Sequence, residues 1–161
     1  MNEKKTLEMR VGELLTARGL TIACAESCTG GLLTSRLTDV AGSSAYVMGS
    51  VVSYTNAIKE RLVGVRHETL AAHGAVSEET AREMAEGIRH AIRTDIGVGI
   101  TGIAGPGGGT VEKPVGLVFI AISGVAGIIA HKKCFTGTRV ENKRSSTESA
   151  LSIIVEYLEK Y

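Results

Sequence analysis

A serine, Ser27, stands where an apolar strand gives way to a helix, in the segment CAESCTGGLL at residues 24–33. Helix N-termini present unpaired N–H groups and partial positive charge, so such a turn suits an oxyanion or a phosphate. Gly30 and Gly31 would let a ligand approach that backbone closely. A simpler interpretation is that Ser27 or Thr29 only caps the helix. Capping does not explain why Ser, Cys, Thr and two glycines cluster together.

A lysine, Lys59, follows in an unusual setting within the segment SYTNAIK, which ends at this residue. Asn56 is a plausible N-cap, which would place Lys59 at the third helical position, where a capping box has Glu or Gln. The helix field, with any burial, would lower the pKa of Lys59 and favour a neutral amine that can act as a general base. Tyr54 could donate to or orient a neighbouring hydroxyl. The alternative is a solvated surface lysine and a packed tyrosine.

The third polar segment is the glycine-rich GITGIAGPGGGTVEKPVG, residues 99–116. Thr101 and Gly102 end an apolar strand, so their backbone can face a crevice. The loop after them could bind an anion or cover a ligand, but it matches neither the P-loop nor the dinucleotide-binding pattern, and a flexible surface hairpin is the alternative. We predict that Thr138 caps the last helix. Arg139, in the first turn and against the dipole, is then either an anion contact or an exposed side chain.

Metal and thiol chemistry have little support in the sequence. The four histidines show no ligand spacing with each other, and Cys24 and Cys28 lie on either side of a strand-to-helix turn. We therefore predict no metal site and no cofactor. Cys28 is the alternative nucleophile to Ser27, although a buried inert thiol is its more ordinary role.

The composition limits the class of protein. A chain of 161 residues fits one domain, residues 1–161, with a real core. A formal net charge of +1 gives no pull toward nucleic acid or membrane, and 4% aromatic residues without Trp make a base-stacking platform unexpected. Glycines interrupt the longest apolar runs, which argues against a membrane span. Three cysteines and a charged start unlike a signal peptide predict reduced thiols and a cytoplasmic location.

The elements that must position these residues alternate between helices and apolar strands. Hydrophobic spacing and caps predict helices at 3–18, 29–40, 56–65, 77–95 and 139–161, and strands at 20–25, 46–55, 96–105, 114–123 and 127–135. This alternation predicts an α/β fold, a single three-layer α/β/α domain with a mixed, mostly parallel sheet. The last two strands have a short connection and should be antiparallel. Sites in such sheets lie in loops that follow strand ends.

Six ordered segments of the chain resemble the CinA C-terminal domain family. They are AESCTGG, GSVVSYTNAIKERLVGV, HGAVSEETAREMA, GITGIAGPGGG, EKPVG and CFTGTR, and the resemblance covers residues 9–158. The resemblance implies hydrolysis of the carboxamide of nicotinamide mononucleotide to nicotinate mononucleotide and ammonia, in pyridine nucleotide recycling and without a metal. It also implies a homodimer or a larger homo-oligomer. The charge and composition described above predict no nucleic-acid or membrane partner.

The resemblance assigns a catalytic serine, tyrosine and lysine to Ser27, Tyr54 and Lys59. A mechanism built from the residues agrees with it: Lys59 takes the Ser27 proton, directly or through Tyr54, and Ser27 attacks the amide carbon. Backbone donors for the oxyanion would come from two segments, Cys28, Thr29 and Gly30, or Thr101 and Gly102. The predicted substrate-binding residues are Gly31, Asn56, Gly105, Gly107, Gly108, Thr138 and Arg139.

Two other functions stay open at this point. A non-catalytic nucleotide-binding module acting with a partner protein would keep the glycine loops and Arg139, but would have no need of Lys59 in its setting. An amidase acting on another small carboxamide, such as nicotinamide itself, would work without the ribose phosphate.

Overall fold

The fold is a five-stranded mixed sheet with helices on both faces, as seen in a computed structural model that describes residues 5–161. The strands are β1 Ile22–Glu26, β2 Val47–Val52, β3 Ile96–Gly102, β4 Leu117–Gly124 and β5 Gly127–Cys134. The helices are α1 Leu7–Arg18, α2 Leu32–Thr38, α3 Asn56–Val63, α4 His67–His73, α5 Glu78–Ile92 and α6 Arg139–Lys160, with a short 3₁₀ turn at Ser43–Ala45.

The strand order is β2-β1-β3-β4-β5, and β1 has a parallel neighbour on each side. β4 pairs antiparallel with β3, and β5 pairs antiparallel with β4 through the turn between Gly124 and Gly127. The predicted mixed α/β sheet is confirmed. Because only β4 runs against the others, "mostly parallel" holds for strand direction, whereas neighbouring pairs divide evenly between parallel and antiparallel.

The side chains of β1 point alternately to two separate cores, which confirms the three layers. Ile22 and Cys24 belong to the larger cluster, under α1, α2 and α6, whereas Ala23 and Ala25 belong to the cluster under α3, α4 and α5. Helix α5 lies very close to the sheet because β3 carries glycine there: a Cβ on Gly99 would lie 2.5 Å from the carbonyl oxygen of Ala81. No helix within residues 5–161 combines the length and the apolarity that a bilayer crossing demands.

Caps set the helix ends, and most of the predicted ends are close. Gly19 ends α1 with φ +62°, Ser77 caps α5 and Thr138 caps α6, all as predicted. The predicted helix at 29–40 is shorter in the structure, because a turn occupies the residues before Leu32. Helix α4 was not predicted, and residues 3 and 4 of the first predicted helix lie outside the described residues.

Candidate active site

Three strand ends meet at one edge of the sheet. Ser27 follows β1, Ser53 and Tyr54 follow β2, and Thr101 and Gly102 end β3. Because these three strands are parallel, their carboxyl ends share an edge, where sites in α/β sheets form. A pocket of about 270 Å³ opens there, lined by Ser27, Cys28, Tyr54, Lys59, Ala75, Val76, Thr101, Gly102, Ile103, Ala104, Gly105, Gly107, Gly108 and Arg139.

The Ser27 hydroxyl and the Lys59 amine lie in direct contact at the floor of this pocket. Lys59 Nζ is 3.0 Å from Ser27 Oγ and donates to the carbonyl oxygen of Ser53 at 2.7 Å. The two side chains come from positions 32 apart in the chain. Lys59 is 1% exposed, and no carboxylate in residues 5–161 forms an ion pair with it.

Burial without a counter-ion lowers the pKa of Lys59 from 10.5 to about 8. The direction is the predicted one, but the main cause is desolvation rather than the helix field. Thr55, not Asn56, caps α3, because its hydroxyl accepts the Ile58 N–H. Lys59 is therefore the fourth helical residue, farther from the positive end of the dipole than predicted.

The turn that carries Ser27 is built around a buried carboxylate, Glu26. This side chain is fully buried and accepts hydrogen bonds from the backbone N–H groups of Leu33 at 2.9 Å and Thr34 at 3.0 Å. It also accepts from the Thr29 hydroxyl at 2.7 Å and the Thr34 hydroxyl at 2.6 Å. Glu26 thus satisfies the first turn of α2, whose N-cap position is Gly31 and has no side-chain cap. The alternative prediction that Ser27 or Thr29 is the N-cap is wrong.

The backbone donors around Ser27 differ in whether they are already used. The Gly30 N–H donates to the Ser27 carbonyl oxygen, whereas the Cys28 N–H has no acceptor on another residue within residues 5–161. Just after β3, the Ile103 N–H donates to the carbonyl oxygen of Leu117 in β4. On the other side of β3, the carbonyl oxygen of Ile100 accepts the Ser27 N–H, which follows β1. Since successive N–H groups of a strand point to opposite sides, Gly102 faces the Ser27 turn and Thr101 faces β4.

Tyr54 lies at the rim of the pocket and contacts Arg139 rather than the Ser27–Lys59 pair. Its ring is 59% exposed, and its hydroxyl accepts a hydrogen bond from Arg139 at 3.0 Å. The same guanidinium donates to the carbonyl oxygen of Gly105 at 2.7 Å. Ser27 therefore contacts Lys59 directly, and no hydrogen bond within residues 5–161 links the Tyr54 hydroxyl to either of them.

Five of the predicted site residues do not line the pocket: Thr29, Gly30, Gly31, Asn56 and Thr138. Thr29 bonds Glu26, Gly31 has φ +100° at the start of α2, and Asn56 is exposed at the start of α3. The Thr138 hydroxyl accepts the Glu141 N–H, and the Thr138 backbone N–H donates to the Glu141 carboxylate. The other predicted residues lie in the pocket wall.

Cys28, the alternative nucleophile, lines the pocket as a protonated thiol. Burial, helped by the negative charge of Glu26, raises the pKa of Cys28 to about 12. A thiol that stays protonated is a poor nucleophile, and the lysine amine contacts the Ser27 hydroxyl, which together favour Ser27 as the candidate. Burial likewise raises the pKa of Cys24.

Sequence reasoning missed three residues that build the site. Glu26 adjoins the serine in AES, and an acidic residue ending an apolar strand is a signal that could have been used. Ser53 contributes its carbonyl oxygen to Lys59, which no side-chain pattern reveals. Asn142, in α6, is buried and bonds the carbonyl oxygen of Ala104 in the pocket wall.

A second hollow of about 530 Å³ lies between α3 and α5, away from Ser27. Its lining combines charged residues with apolar residues and glycines and carries no hydroxyl or thiol nucleophile, so the smaller pocket is the better candidate for a chemical site. Within residues 5–161, His, Cys, Asp and Glu side chains do not gather into a group of three or more that could hold a metal ion.

The fold and the site together define an α/β protein with a buried serine–lysine pair at the carboxyl edge of its sheet. The chain belongs to the CinA C-terminal domain family, which it matches over residues 4–158.

Two solved structures and one sequence relative illustrate the similarity. The competence/damage inducible protein CihA from Agrobacterium tumefaciens, known from a crystal structure, has 40% sequence identity to this chain. The two structures superpose with a TM-score of 0.89, over 97% of this chain and 98% of that one. The CinA superfamily protein of Klebsiella pneumoniae is 36% identical, with a TM-score of 0.93 covering 96% and 97%. The CinA-like protein of Chloroherpeton thalassium is 52% identical over 156 residues, 94% of this chain and 37% of that protein. This chain spans just over a third of the length of such curated relatives.

Proposed function

We propose that this protein hydrolyses the carboxamide of nicotinamide mononucleotide to nicotinate mononucleotide and ammonia, with Ser27 as the nucleophile. The observation that carries the proposal is the 3.0 Å contact between Ser27 Oγ and a lysine whose pKa burial lowers to about 8. A neutral amine beside a hydroxyl is an activated-nucleophile arrangement suited to acyl transfer. The choice of substrate rests on the family resemblance of the motifs.

Lys59 acts as the general base in the first step. One N–H of the neutral amine donates to the Ser53 carbonyl oxygen, which turns the lone pair toward Ser27. The lone pair takes the Ser27 proton while Oγ attacks the amide carbon, and Lys59 becomes an ammonium. In this proposal the transfer is direct, because the Tyr54 hydroxyl accepts from Arg139 and no hydrogen bond within residues 5–161 joins it to Ser27 or Lys59.

Main-chain N–H groups stabilise the tetrahedral oxyanion. The Cys28 N–H and the Gly102 N–H suit this role better than those of Gly30 and Thr101, because the latter two already have acceptors or face β4. Removing one such donor typically raises the barrier by about 3–4 kcal/mol.

The same lysine completes the cycle. The Lys59 ammonium gives its proton to the departing nitrogen, so the C–N bond breaks and ammonia leaves an acyl-Ser27 ester. Water then gives a proton to Lys59 and attacks the ester, and Lys59 passes that proton to the Ser27 oxygen as the C–O bond to Ser27 breaks. The carboxylic acid released then loses its proton to solvent and becomes the carboxylate.

Arg139 and the glycine loop form the anion-binding end of the site. The guanidinium has no carboxylate partner within residues 5–161, and Gly105, Gly107 and Gly108 line the same pocket as Ser27. A phosphate bonded there would place the rest of the nucleotide across the pocket toward the serine. Tyr54 orients the guanidinium.

The proposal is tested by incubating the purified chain with nicotinamide mononucleotide and measuring ammonia and nicotinate mononucleotide. We expect Ser27→Ala and Lys59→Ala to fold and to lower turnover by about a thousandfold or more, as loss of a nucleophile or its base typically does. The matched controls are Ser35→Ala, on the exposed side of α2, and Lys132→Ala, on the exposed side of β5. Both controls should retain full activity.

Four outcomes would contradict the proposal. Near-normal turnover in Ser27→Ala would remove the serine from the chemistry, and loss in Cys28→Ala alone would make the thiol the nucleophile. Equal turnover of nicotinamide would indicate an amidase for free carboxamides. Tight binding of the nucleotide without ammonia release would indicate a binding module.

A further inference from the structure

The glycine loop, defined as residues 103–116, presents its backbone to the pocket instead of side chains. Gly105 and Gly108 have φ +86°, and a Cβ on Gly105 would collide with Val115. Within residues 5–161, the N–H groups of Ala104, Gly105, Gly107, Gly108 and Gly109 have no hydrogen-bond acceptor. Successive unpaired N–H groups at a concave surface suit an anion.

Residues 104–109 of this loop are held by side chains of α6, whereas Lys113, farther along the loop, donates to the carbonyl oxygen of His73 in α4. The base of the loop is closed by its own bonds, between Ile103 and Leu117 and between Gly116 and Ile103. The recorded hydrogen bonds to residues 104–109 come from two side chains in the first turns of α6: Asn142 Nδ2 donates to Ala104 O at 3.0 Å, and Arg139 to Gly105 O at 2.7 Å.

Asn142 connects three segments at once. Its side chain is 1% exposed, and its Oδ1 accepts the N–H of Gly137, also at 3.0 Å, just before the cap of α6. A carbonyl on one side and an N–H on the other fix which amide atom faces which segment. Asn142 lies three residues after Arg139 and so on the same side of the helix.

We propose that Asn142 is a positioning residue that makes the site selective for a carboxamide bearing a phosphate, an inference that rests on the proposed function. It holds the glycine loop against α6, so that the loop N–H groups and the Arg139 guanidinium face the pocket as one anion-binding unit. Asn142 does not line the pocket and does not touch Ser27 or Lys59. It therefore acts on recognition of the phosphate and not on the chemical step.

The test compares two substrates with the same carboxamide, nicotinamide mononucleotide and its phosphate-free analogue nicotinamide riboside. Asn142→Asp keeps the acceptor for Gly137 but loses the donor to Ala104. We expect it to raise KM for the mononucleotide by about 10- to 100-fold, the size expected for weakened hydrogen bonds to a charged group, with kcat nearly unchanged. The parameters for the riboside should change less than about twofold.

The matched control is Ser146→Ala, one turn along α6, whose buried hydroxyl donates only to the Asn142 carbonyl oxygen at 2.7 Å. Ser146→Ala should leave kcat and KM unchanged for both substrates. If Asn142→Asp does not fold by circular dichroism, Asn142→Ala removes the same donor without adding a charge and should give the same KM effect.

Two results would overturn the inference: equal losses on both substrates in the variants, or equal kcat/KM of the wild-type protein for the two substrates. If the wild-type protein releases no ammonia from either one, the proposed function fails and calorimetric binding replaces turnover. A wild-type preference for the mononucleotide that disappears in Asn142→Asp would still support the role of Asn142, and equal binding of the two compounds would overturn it.

Discussion

At the scale of single residues, the site depends on one lysine that has no counter-ion. Lys59 has two recorded partners, a hydroxyl and a carbonyl oxygen, and neither neutralises an ammonium. Because the charged form is desolvated, the amine loses its proton more readily than a surface lysine would. The 3.0 Å contact with Ser27 places this amine, neutral in a larger fraction of molecules than a surface lysine, where the proposed mechanism removes a proton.

The lowered pKa of Lys59 predicts the pH dependence of turnover. The active form has the neutral amine, so kcat/KM should rise about tenfold per pH unit below the pKa and level off above it. The midpoint should lie near 8, the pKa that burial gives Lys59. Initial rates with nicotinamide mononucleotide between pH 6 and pH 10 measure this. A profile that falls with rising pH, or a midpoint near 10.5, would contradict the assignment of Lys59 as the base.

Residue types and local spacing marked Ser27 and Lys59 as candidates from the sequence, beside alternatives that the family resemblance and not the spacing set aside. Both stand at element boundaries where polar side chains have no packing role, and that made them visible. The direct contact between them joins positions 32 apart and depends on how β1 and β2 pair, which no local pattern encodes. Asn142 was not singled out because, within VENKR, it resembles any polar residue of an exposed helix.

At the scale of elements, the strand–turn–helix unit from β1 to α2 is organised by Glu26. Its carboxylate replaces a conventional cap from a position five residues before Gly31, so the positive end of α2 is occupied by protein. This corrects the expectation that the helix terminus itself would receive a substrate anion. The candidates that remain for binding an anion are the unpaired main-chain N–H groups of the glycine loop and Arg139.

Replacing Glu26 by Gln tests this unit. One amide N–H₂ would face N–H or hydroxyl donors where a carboxylate oxygen now accepts, so we expect a loss of about 1–3 kcal/mol in the free energy of unfolding. A shifted Ser27 should also lower kcat by about 10- to 100-fold. Urea denaturation and turnover measure the two effects.

The control for Glu26→Gln is Glu148→Gln, which loses only a half-exposed ion pair with Arg36 and should change stability by less than about 0.5 kcal/mol. If Glu26→Gln behaves like this control in both measurements, the carboxylate does not hold the turn.

Cap chemistry predicted the ends of α1, α5 and α6 because Gly19, Ser77 and Thr138 each had one clear role. It was wrong by one residue at α3, where Thr55 and Asn56 are both favoured caps and only the tertiary path of β2 decides between them. Helix α4 was missed because seven residues are too few for a hydrophobic period to emerge.

At the scale of the whole molecule, strand order is what brings the site together. The chain passes from β1 to β2 on one side and returns across the sheet to β3 on the other, so β1 lies between two parallel neighbours. Alternating helices and strands predicted the layers, and the short last connection predicted the antiparallel final pair. They did not predict this order, because order depends on which faces the helices cover.

The stability of the whole fold should reflect the buried charge. Between pH 8 and pH 10.5 the unfolded chain holds a proton on Lys59 that the folded chain has lost, so the free energy of unfolding should rise with pH in this window, and the full penalty applies below it. The lowering of the pKa from 10.5 to about 8 corresponds to roughly 3 kcal/mol.

Lys59→Met should therefore have a free energy of unfolding about 1–3 kcal/mol above that of the wild-type protein at pH 7, and so unfold at a higher urea concentration. It should release no ammonia. The difference should shrink as the pH approaches 10.5. Lys132→Met, at an exposed position, provides the comparison and should not change stability. A Lys59→Met protein that is less stable than wild type at pH 7 would show that the lysine is not strained in the folded state.

The glycine loop has one more consequence, for how such a site can be dissected. Where the main chain binds the ligand, alanine substitution removes no atom that the ligand contacts. Such variants of the loop would either keep full activity or lose it only because they fail to fold. Its donors would become measurable only if single peptide bonds were exchanged for esters by chemical synthesis, since an ester removes the N–H and leaves every side chain in place.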